Sequence, residues 1–335
     1  MIEGVGLNRM PARAGDGEES DHGSTHDHHV TGSCAGSSPA LEQKPCESMP
    51  FAMARPQCPR SPAAIQLLWY SFSTMRPIVI GAGRGSRLGP ETDDVPKALV
   101  PVMGRPMLDW ILDALGAAGF ARRDVLFIGG YRADVVRARY PELSYVENAD
   151  WERNNILGSL LCARDALSSG FVSTYADIVY RGSTVAKLVA SPHDKVLGCD
   201  TDWRLRYVDR SQHPETDGEK MRADGDRVIE LSRRIPSDEA SGEFIGVTKF
   251  SAEGAREMVA AFDEARARHA GTPWREGRTF ERAYLIDLFQ DMIEHGSAFH
   301  RVDTHGGYME IDTREDLASA AKWWRESTPD RDDRR

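Results

Sequence analysis

Short apolar runs alternate with amphipathic stretches along most of the chain after residue 75. Runs such as residues 76–80 have the length and composition of buried strands. Elsewhere apolar residues recur three or four positions apart, as Leu108, Ile111 and Leu115 do, which is the spacing of one helix face. This alternation predicts an α/β fold, a doubly wound and mostly parallel sheet with helices on both faces.

The order of the predicted elements changes near residue 200. Before it, we predict strands over 76–80, 124–128, 143–146, 171–176 and 195–199, and helices over 107–118, 133–139, 155–167 and 183–189. After it, we predict strands over 220–222, 227–231, 244–250, 300–302 and 308–311, and helices over 252–268, 280–294 and 314–324. The turn sequence Asp224-Gly225 between two of these strands is typical of a hairpin, which predicts a small antiparallel insert.

Composition divides the chain into a leader, a folded domain and a tail. Residues 1–74 are rich in Gly, Ser, Pro and His and lack apolar periodicity over most of their length. They predict a disordered leader, or a reading frame extended upstream of a true start at Met75. Residues 75–325 form the predicted domain, with 75–200 and 201–325 as its two halves, and 326–335 form a flexible tail.

Charge and cysteine content narrow the class of protein. The chain has 42 Lys and Arg against 52 Asp and Glu, a net charge of −10, which disfavours binding to a nucleic-acid backbone. No stretch reaches the ~18 apolar residues of a membrane span, and the five cysteines are too scattered for a disulfide framework. We therefore expect a cytoplasmic protein that binds neither nucleic acid nor a membrane.

The first motif with chemical content follows the first predicted strand. It reads Gly81-Ala82-Gly83-Arg84-Gly85-Ser86-Arg87-Leu88. Glycines let successive backbone N–H groups approach phosphate oxygens closely. Ser86 stands where a dinucleotide-binding fingerprint needs its third glycine, and the Gly-Lys-Ser/Thr of a P-loop is absent. By itself, the motif also fits a tight strand-to-helix turn.

Two further segments make the motif more specific. They read Pro96-Lys97-Ala98-Leu99 and Gly104-Arg105-Pro106-Met107-Leu108. Together with the glycine loop, and in this order, they resemble the sugar-phosphate nucleotidyltransferases. The resemblance implies that Gly81–Ser86 bind a nucleotide. It also implies that Arg87 and Lys97 contact the phosphates as catalytic residues.

Two carboxylates end predicted strands in the same resemblance. Asp177 follows the strand at 171–176, and Asp312 follows the strand at 308–311. The resemblance implies that both bind Mg²⁺, with Glu310, on the same side of its strand as Asp312, as the alternative second ligand. Each aspartate also has a structural interpretation as a turn or cap residue, and Asp312 with Glu315 would form a capping box for the last helix.

The segment Asn154-Asn155-Ile156-Leu157-Gly158-Ser159-Leu160 indicates the subfamily. It resembles a block of the phosphocholine cytidylyltransferases and their relatives. The resemblance implies that Asn155 and Ser159 bind the nucleotide, since amides and hydroxyls can read base edges. In the structural alternative, Asn154 or Asn155 caps the following helix.

The acceptor side is implied by segments after residue 230. Arg233 stands in a stretch where the family usually has a lysine, and Glu243 begins a strand that resembles the one following the acceptor insert. The stretch 200–213 is polar and basic, unlike the aromatic and acidic enclosure of a quaternary ammonium. It favours a hydroxylated acceptor, as in the valienol-1-phosphate guanylyltransferases of aminocyclitol antibiotic pathways, which the chain also resembles.

We therefore expect an Mg²⁺-dependent nucleotidyltransferase. It would join an NTP, GTP or CTP, to a small phosphomonoester such as valienol 1-phosphate and release pyrophosphate, and a homodimer is compatible with this function. One alternative is a choline-phosphate or phosphonate cytidylyltransferase. Another is a non-catalytic sensor of nucleotide sugars on the same fold. An NAD-dependent enzyme is disfavoured by Ser86 and by the lack of an acidic residue after the second strand.

Overall fold

The computed structural model describes residues 75–208 and 210–326. They fall within one compact unit of the chain. The predicted leader (1–74) and all but the first residue of the predicted tail (326–335) lie outside the described residues. No helix in the described ranges is both long and apolar enough to cross a membrane.

The elements alternate as predicted in the first half. The strands are β1 (Arg76–Gly81), β2 (Pro101–Val102), β3 (Arg105–Pro106), β4 (Leu126–Gly129), β5 (Ser144–Glu147), β6 (Phe171–Tyr175), β7 (Ile178–Tyr180), β8 (Lys195–Asp200), β9 (Lys220–Asp224), β10 (Arg227–Leu231), β11 (Gly242–Phe250), β12 (Phe299–Thr304) and β13 (Tyr308–Glu310). The α-helices are α1 (Met107–Ala117), α2 (Ala133–Arg139), α3 (Ile156–Leu161), α4 (Gly182–Ala190), α5 (Ala252–His269), α6 (Leu285–Glu294) and α7 (Arg314–Glu326).

One sheet contains most of these strands, in the order β5-β4-β1-β6-β11-β8-β12-β10-β9. Strands β5, β4, β1 and β6 are parallel to one another, and β12 is parallel to β8. Strand β11 lies antiparallel between β6 and β8. The predicted α/β class is confirmed, and the sheet is mixed because β10 and β11 run against the other strands.

The predicted antiparallel insert is the hairpin β9–β10. Gly225 in its turn has a φ of 60°, a left-handed conformation that glycine adopts without steric cost. The hairpin is not separate from the main sheet, because β10 pairs with β12 and β9 pairs with β11. Residues after 200 therefore continue the sheet that begins at β1.

Alternating side chains of β1 point into two different cores. Ile78 and Ile80 pack in the core beneath α3, α5 and α6, whereas Val79 packs in the core beneath α1, α2 and α4. A third cluster packs α7 against β7 and β13, with Ile311 fully buried. Helices thus cover both faces of the sheet, as the sequence pattern predicts.

Two predicted helices are shorter than expected. Helix α3 ends at Leu161 and is followed by a 3₁₀ helix at Arg164–Leu167, where one helix was predicted over 155–167. The apolar period continues across the break because both pieces face the same core. Likewise, a 3₁₀ turn at Phe280–Arg282 precedes α6, where one helix was predicted over 280–294. Strand β7 was not predicted, because its pairing partner β13 lies far along the chain.

Candidate functional site

A cleft of about 350 Å³ opens at the carboxyl ends of β1 and β6. This is the edge at which doubly wound sheets bind ligands. The predicted site residues that line it are Gly81, Ala82, Gly83, Gly85, Ser86, Arg87, Lys97, Asn155, Ser159, Asp177, Arg233, Glu243 and Asp312. Arg84 is not among the lining residues: its guanidinium pairs with Asp93 at 2.8 Å and lies over the ring of Tyr131.

The glycines of the loop after β1 have different roles. A Cβ on Gly81 would lie 2.7 Å from the ring of Phe127, so the strand end packs there without a side chain. Gly85 has a φ of 74°, and a Cβ on it would lie 2.7 Å from Cδ of Lys97. Gly83 is exposed, and a Cβ there would meet no atom within 4 Å. Gly81 and Gly85 shape the loop, and Gly83 leaves its backbone open to a ligand in the cleft.

Lys97 is a buried cation at the centre of the cleft. Its Nζ donates to Asp177 Oδ2 at 2.7 Å and also to Asp312 Oδ1. Burial alone would lower the pKa of Lys97, but the charges of Asp177 and Asp312 raise it well above its usual value. Lys97 therefore stays charged at neutral pH and holds the two predicted metal ligands together.

Asp312 and Glu310 differ in their electrostatic environment. Arg87, whose side chain lies half-exposed at the cleft rim, donates to Asp312 Oδ2. Burial would raise the pKa of Asp312, but Lys97 and Arg87 lower it to about 2. Burial, Asp312 and Asp177 instead raise the pKa of Glu310 well above its usual value. The site therefore favours the charged form of Asp312 and disfavours that of Glu310, which supports Asp312 as the second metal ligand.

The start of α7 leaves the Asp312 side chain free to face the cleft. Thr313 Oγ1 accepts from the backbone N–H of Asp316, and Asp316 Oδ2 accepts from the backbone N–H groups of Asp312 and Thr313 at 3.0 and 2.8 Å. The predicted capping box of Asp312 and Glu315 is therefore wrong. The box lies one residue further on, and Glu315 instead accepts from the backbone of residues 211–212.

The carboxylates of the cleft suit a divalent cation. Asp177 Oδ1 is buried and has no hydrogen-bond partner, so one oxygen is left for a ligand. His213, Glu310 and Asp312 offer ligand atoms that lie within 4.8 Å of one another. His213 Nδ1 accepts from Arg210 at 2.7 Å, which leaves carboxylate oxygens, the ligands that Mg²⁺ prefers, as the better donors. The sequence carried no signal for His213, since about a hundred residues separate it from Asp312.

A second group of metal-ligand side chains lies away from this cleft. It consists of His193, Asp226 and His300. The two imidazole rings stack face to face, with centroids 3.5 Å apart and planes 8° from parallel. None of these three residues lines the cleft, so the carboxylate cluster of the cleft is the cation site relevant to the predicted chemistry.

The predicted nucleotide side of the cleft is braced by its own hydrogen bonds. Asn155 Oδ1 accepts from the Ile156 N–H at 2.8 Å, which confirms that this residue caps the following helix. Ser159 Oγ accepts from Asn148 Nδ2 at 2.9 Å and donates to the Asn155 carbonyl. Both side chains line the cleft, and a contact with the base stays a prediction. Trp151, which sequence reasoning did not select, also lines this side.

Arg233 lies against an aromatic ring and a carboxylate in the cleft wall. Its guanidinium sits 4.1 Å from the ring centroid of Tyr284. Its Nη2 lies 3.5 Å from Glu219 Oε1, and Glu219 Oε2 accepts from the Tyr175 hydroxyl at 3.2 Å. Burial raises the pKa of Glu219 to about 7 in spite of Arg233. Glu219 therefore changes charge near neutral pH.

The wall around Arg233 is aromatic and acidic. Its aromatic and carboxylate members are Tyr175, Phe244, Tyr284, Tyr308, Asp217, Glu219, Glu243 and Glu310. These residues come from several distant elements, so the sequence showed no local motif for them. The wall has the composition expected of a site for an organic cation.

The arginines of the basic stretch at 200–213 do not provide an acceptor surface. Arg206 is buried and donates to Asp200 at 2.8 Å and to Glu243. Arg204 pairs with Glu215 at 3.1 Å. None of the three arginines of this stretch lines the cleft. The expectation that these arginines form a basic acceptor site is wrong, because carboxylates of the protein take up their positive charges, and the carboxylates paired with Arg206 and Arg210 are buried.

Fold and site together define a class of protein. A sheet edge with a glycine loop, a buried Lys97 between two carboxylates and an open cleft is the arrangement of an α/β enzyme that binds phosphates. Residues 77–214 match the family of the MobA-like NTP transferase domain. The predicted resemblance to the sugar-phosphate nucleotidyltransferases is thus confirmed, and nucleotidyltransferase activity is the activity that the match supports.

Individual relatives extend this match. The chain is 29% identical to a CTP:phosphoglutamine cytidylyltransferase of Campylobacter jejuni, over 72% of this chain and 98% of the relative. It is 23% identical to a choline-phosphate cytidylyltransferase of Streptococcus pneumoniae, over 71% of this chain and 97% of the relative. The solved inositol-1-phosphate CTP transferase of T. maritima has a similar fold, with a TM-score of 0.56 at 20% identity over 76% of this chain and 99% of that one.

Proposed function

We propose that this nucleotidyltransferase is a cytidylyltransferase whose acceptor is a small phosphate or phosphonate with a positively charged group. The observation that carries the proposal is the wall of aromatic rings and carboxylates around Arg233. Two relatives whose full length the chain nearly spans act, by name, on phosphoglutamine and choline phosphate with a cytidylyl group. A homodimer and a cytoplasmic location stay predictions.

Charge explains why the acceptor needs a cationic end. Asp217, Glu219 and Glu243 line the cleft with an arginine beside each of them, Arg87 at 3.7 Å, Arg233 at 3.5 Å and Arg206. A group with only hydroxyls would add no positive charge to these pairs. An ammonium group is attracted both to these carboxylates and to the faces of the tyrosine rings. The phosphate end of the same molecule is attracted to Arg87 and Lys97.

The alternative acceptor, a sugar or cyclitol phosphate such as valienol 1-phosphate used with GTP, has less support. It depended on the basic character of the stretch 200–213. The side chains of Arg206 and Arg210 in that stretch bind buried carboxylates at 2.8 and 2.7 Å and do not line the cleft. A choline-phosphate or phosphonate acceptor fits the cleft wall better.

The reaction needs alignment and charge neutralisation more than acid–base chemistry. An oxygen of the acceptor phosphate attacks the α-phosphorus of CTP, and the bond from that phosphorus to the bridging oxygen of the β-phosphate breaks. Pyrophosphate leaves with the electron pair. The attacking oxygen is already anionic near pH 7, so no general base is required. Lys97 and Arg87 offset the negative charge that gathers as the phosphates approach each other.

We assign Asp177 and Asp312 as the residues that would hold Mg²⁺. When bound, the ion neutralises phosphate charge and orients the phosphates. Lys97 donates to both carboxylates and so keeps their oxygens on the same side of the cleft. The unpartnered Oδ1 of Asp177 supports this assignment.

A pyrophosphate-release screen tests the proposal. Each of the four NTPs is combined with two cationic acceptors, phosphocholine and 2-aminoethylphosphonate, and two hydroxylated ones, inositol 1-phosphate and glucose 1-phosphate. We expect CTP with a cationic acceptor to give the highest kcat/KM, by at least ~10-fold, the equivalent of about 1.4 kcal/mol. A preference for GTP with a sugar phosphate would overturn the proposal. Tight nucleotide binding with no release from any pair would favour the non-catalytic sensor.

A further inference from the structure

The loop between α5 and α6, residues 271–284, contacts both sides of the cleft; we refer to it as the bridging loop. It has its own hydrogen bonds, since the Trp274 N–H donates to the Arg278 carbonyl at 2.7 Å. Phe280 is buried, and its ring lies 5.3 Å from Phe262 of α5 and 5.2 Å from Trp274. The loop is therefore anchored to the core and transmits contacts as one folded piece.

Two residues of the bridging loop, Glu276 and Tyr284, position Arg233. Glu276 Oε1 accepts from the Arg233 backbone N–H at 3.0 Å and from the Ser232 hydroxyl at 2.6 Å. Tyr284, the last residue of the loop, places its ring under the Arg233 guanidinium. Glu276 has a φ of 51°, a left-handed conformation that is unfavourable for a residue with a side chain. The strain at Glu276 is retained where it holds the acceptor side in place.

The same loop holds the nucleotide side through Arg282. Its Nη2 donates to the carbonyl of Glu152 at 2.6 Å, and its Nη1 donates to the carbonyl of Asn154 at 3.4 Å. In return, Asn155 Nδ2 donates to the Arg282 carbonyl at 3.3 Å. These bonds fasten the segment 151–155, which lines the cleft where the nucleotide base is predicted. Arg282 itself is exposed and lines no part of the cleft.

We propose that the bridging loop couples the two substrate sites and that Arg282 is the positioning residue on the nucleotide side. A nucleotide that orders segment 151–155 also orders the loop, and the loop then holds Arg233 and Tyr284 in place for the acceptor. The coupling is reciprocal, because each ligand changes the affinity for the other by the same factor. This inference rests on the proposed function for the identity of the two ligands.

Hydrogen exchange with a non-hydrolysable CTP analogue, α,β-methylene-CTP, tests the coupling without any acceptor. In the wild-type chain, we expect the analogue to protect the glycine loop and also residues 230–236 and 271–284. In Arg282→Ala, the glycine loop keeps its protection and residues 230–236 lose most of theirs. Protection of residues 230–236 that is equal in both proteins overturns the inference. The absence of any protection by the analogue overturns the proposed function instead.

Calorimetric titration with phosphocholine measures the coupling factor. We expect the analogue to raise the affinity of the wild-type chain for phosphocholine about 5- to 150-fold, the usual range of such couplings. Arg282→Ala loses this gain while its affinity for phosphocholine alone is unchanged. Arg282→Lys, which retains one donor, restores part of it. Full coupling in Arg282→Ala contradicts the positioning role.

A matched control is available on α5. Arg256 is exposed like Arg282, and its guanidinium binds Glu253 on the same helix. Arg256→Ala removes the same side chain from a surface that does not touch the bridging loop. It keeps the wild-type coupling factor and the wild-type exchange pattern. A loss of coupling in this control as large as in Arg282→Ala would show a general effect of charge and overturn the inference.

Discussion

At the scale of single residues, Lys97 and its two carboxylates dominate the site. A buried charge is costly unless it is paired, and removal of one partner leaves the other uncompensated. The ammonium group of Lys97 forms ion pairs with both Asp177 and Asp312, and Arg87 adds a second positive charge beside Asp312. The cluster therefore carries opposite charges in close balance before any substrate enters.

The different environments of Asp312 and Glu310 lead to a prediction. Asp312→Asn removes a charge that lies between Lys97 and Arg87, and we expect kcat/KM to fall by about 100-fold or more. Glu310→Gln should reduce activity much less, because burial, Asp312 and Asp177 raise the pKa of Glu310 and so disfavour its charged form, whereas Lys97 and Arg87 favour that of Asp312. Pyrophosphate-release kinetics and thermal unfolding of both variants measure the effects.

Asp177→Asn is the companion variant of this experiment. It removes the carboxylate whose Oδ1 has no partner in the protein, and we expect a loss of activity similar to that of Asp312→Asn. An inactive Glu310→Gln together with an active Asp312→Asn would transfer the second metal position to Glu310.

At the scale of elements, the loop after β1 shows how backbone conformation prepares a ligand site. Gly85 combines a positive φ with close contact to the Lys97 side chain, so its lack of a Cβ leaves the space that Lys97 occupies. Gly83, two residues earlier, has neither constraint and faces the open cleft. The same loop thus contains one glycine required by the fold and another whose role is to leave space.

Alanine at these two glycines should separate the roles. Gly85→Ala places a Cβ at a φ of 74°, which costs about 1–2 kcal/mol, and pushes on Lys97, so we expect lower stability and lower kcat. Gly83→Ala should leave stability unchanged and raise KM for the nucleotide, because its Cβ fills space in the cleft. Chemical denaturation and steady-state kinetics distinguish the two. Equal KM for the nucleotide in Gly83→Ala and the wild type would contradict the phosphate-binding role of the loop.

At the scale of the whole molecule, the buried carboxyl of Glu219 in the cleft wall lowers the free energy of unfolding as the pH rises. Glu219 is buried, and its pKa rises from 4.5 to about 7. A carboxyl whose pKa is raised on folding contributes stability at pH below 4.5, and this contribution is lost as the pH rises through about 7. The shift from 4.5 to about 7, at about 1.4 kcal/mol for each unit of pKa, corresponds to a loss of about 3 kcal/mol in the free energy of unfolding.

Replacement of Glu219 by glutamine should remove this dependence. We expect the free energy of unfolding of the wild-type chain to fall relative to that of Glu219→Gln between pH 5 and pH 8. Urea denaturation at unit pH intervals measures the difference. Glu219→Gln should also abolish the part of acceptor binding that strengthens above pH 7, where the ionised Glu219 attracts a cation. Parallel stability curves for the two proteins would contradict the pKa shift.

Much of the architecture follows from local patterns in the sequence. The alternation of Ile78, Val79 and Ile80 between two cores is visible as a short apolar run, and the Asp224-Gly225 turn indicates its hairpin. The antiparallel direction of β11 and the pairing of β7 with β13 leave no comparable pattern. Both depend on contacts between residues more than 40 positions apart, which local propensity does not encode.

For the candidate site, the sequence by itself determined most of the residues on the side of the cleft that we propose binds phosphate. The glycine loop and Asp177 follow the neighbouring parallel strands β1 and β6, whose carboxyl ends meet at one edge of the sheet. Lys97 lies in a short 3₁₀ turn, and Asp312 reaches the same edge through the antiparallel pairing of β13 with β7. Only the tertiary structure decided the character of the acceptor side. Arg206 is neutralised by carboxylates from other strands, and distant elements supply the wall around Arg233. Whether a charged side chain faces a ligand or a buried partner depends on its neighbours in space, and spacing along the chain does not contain that information.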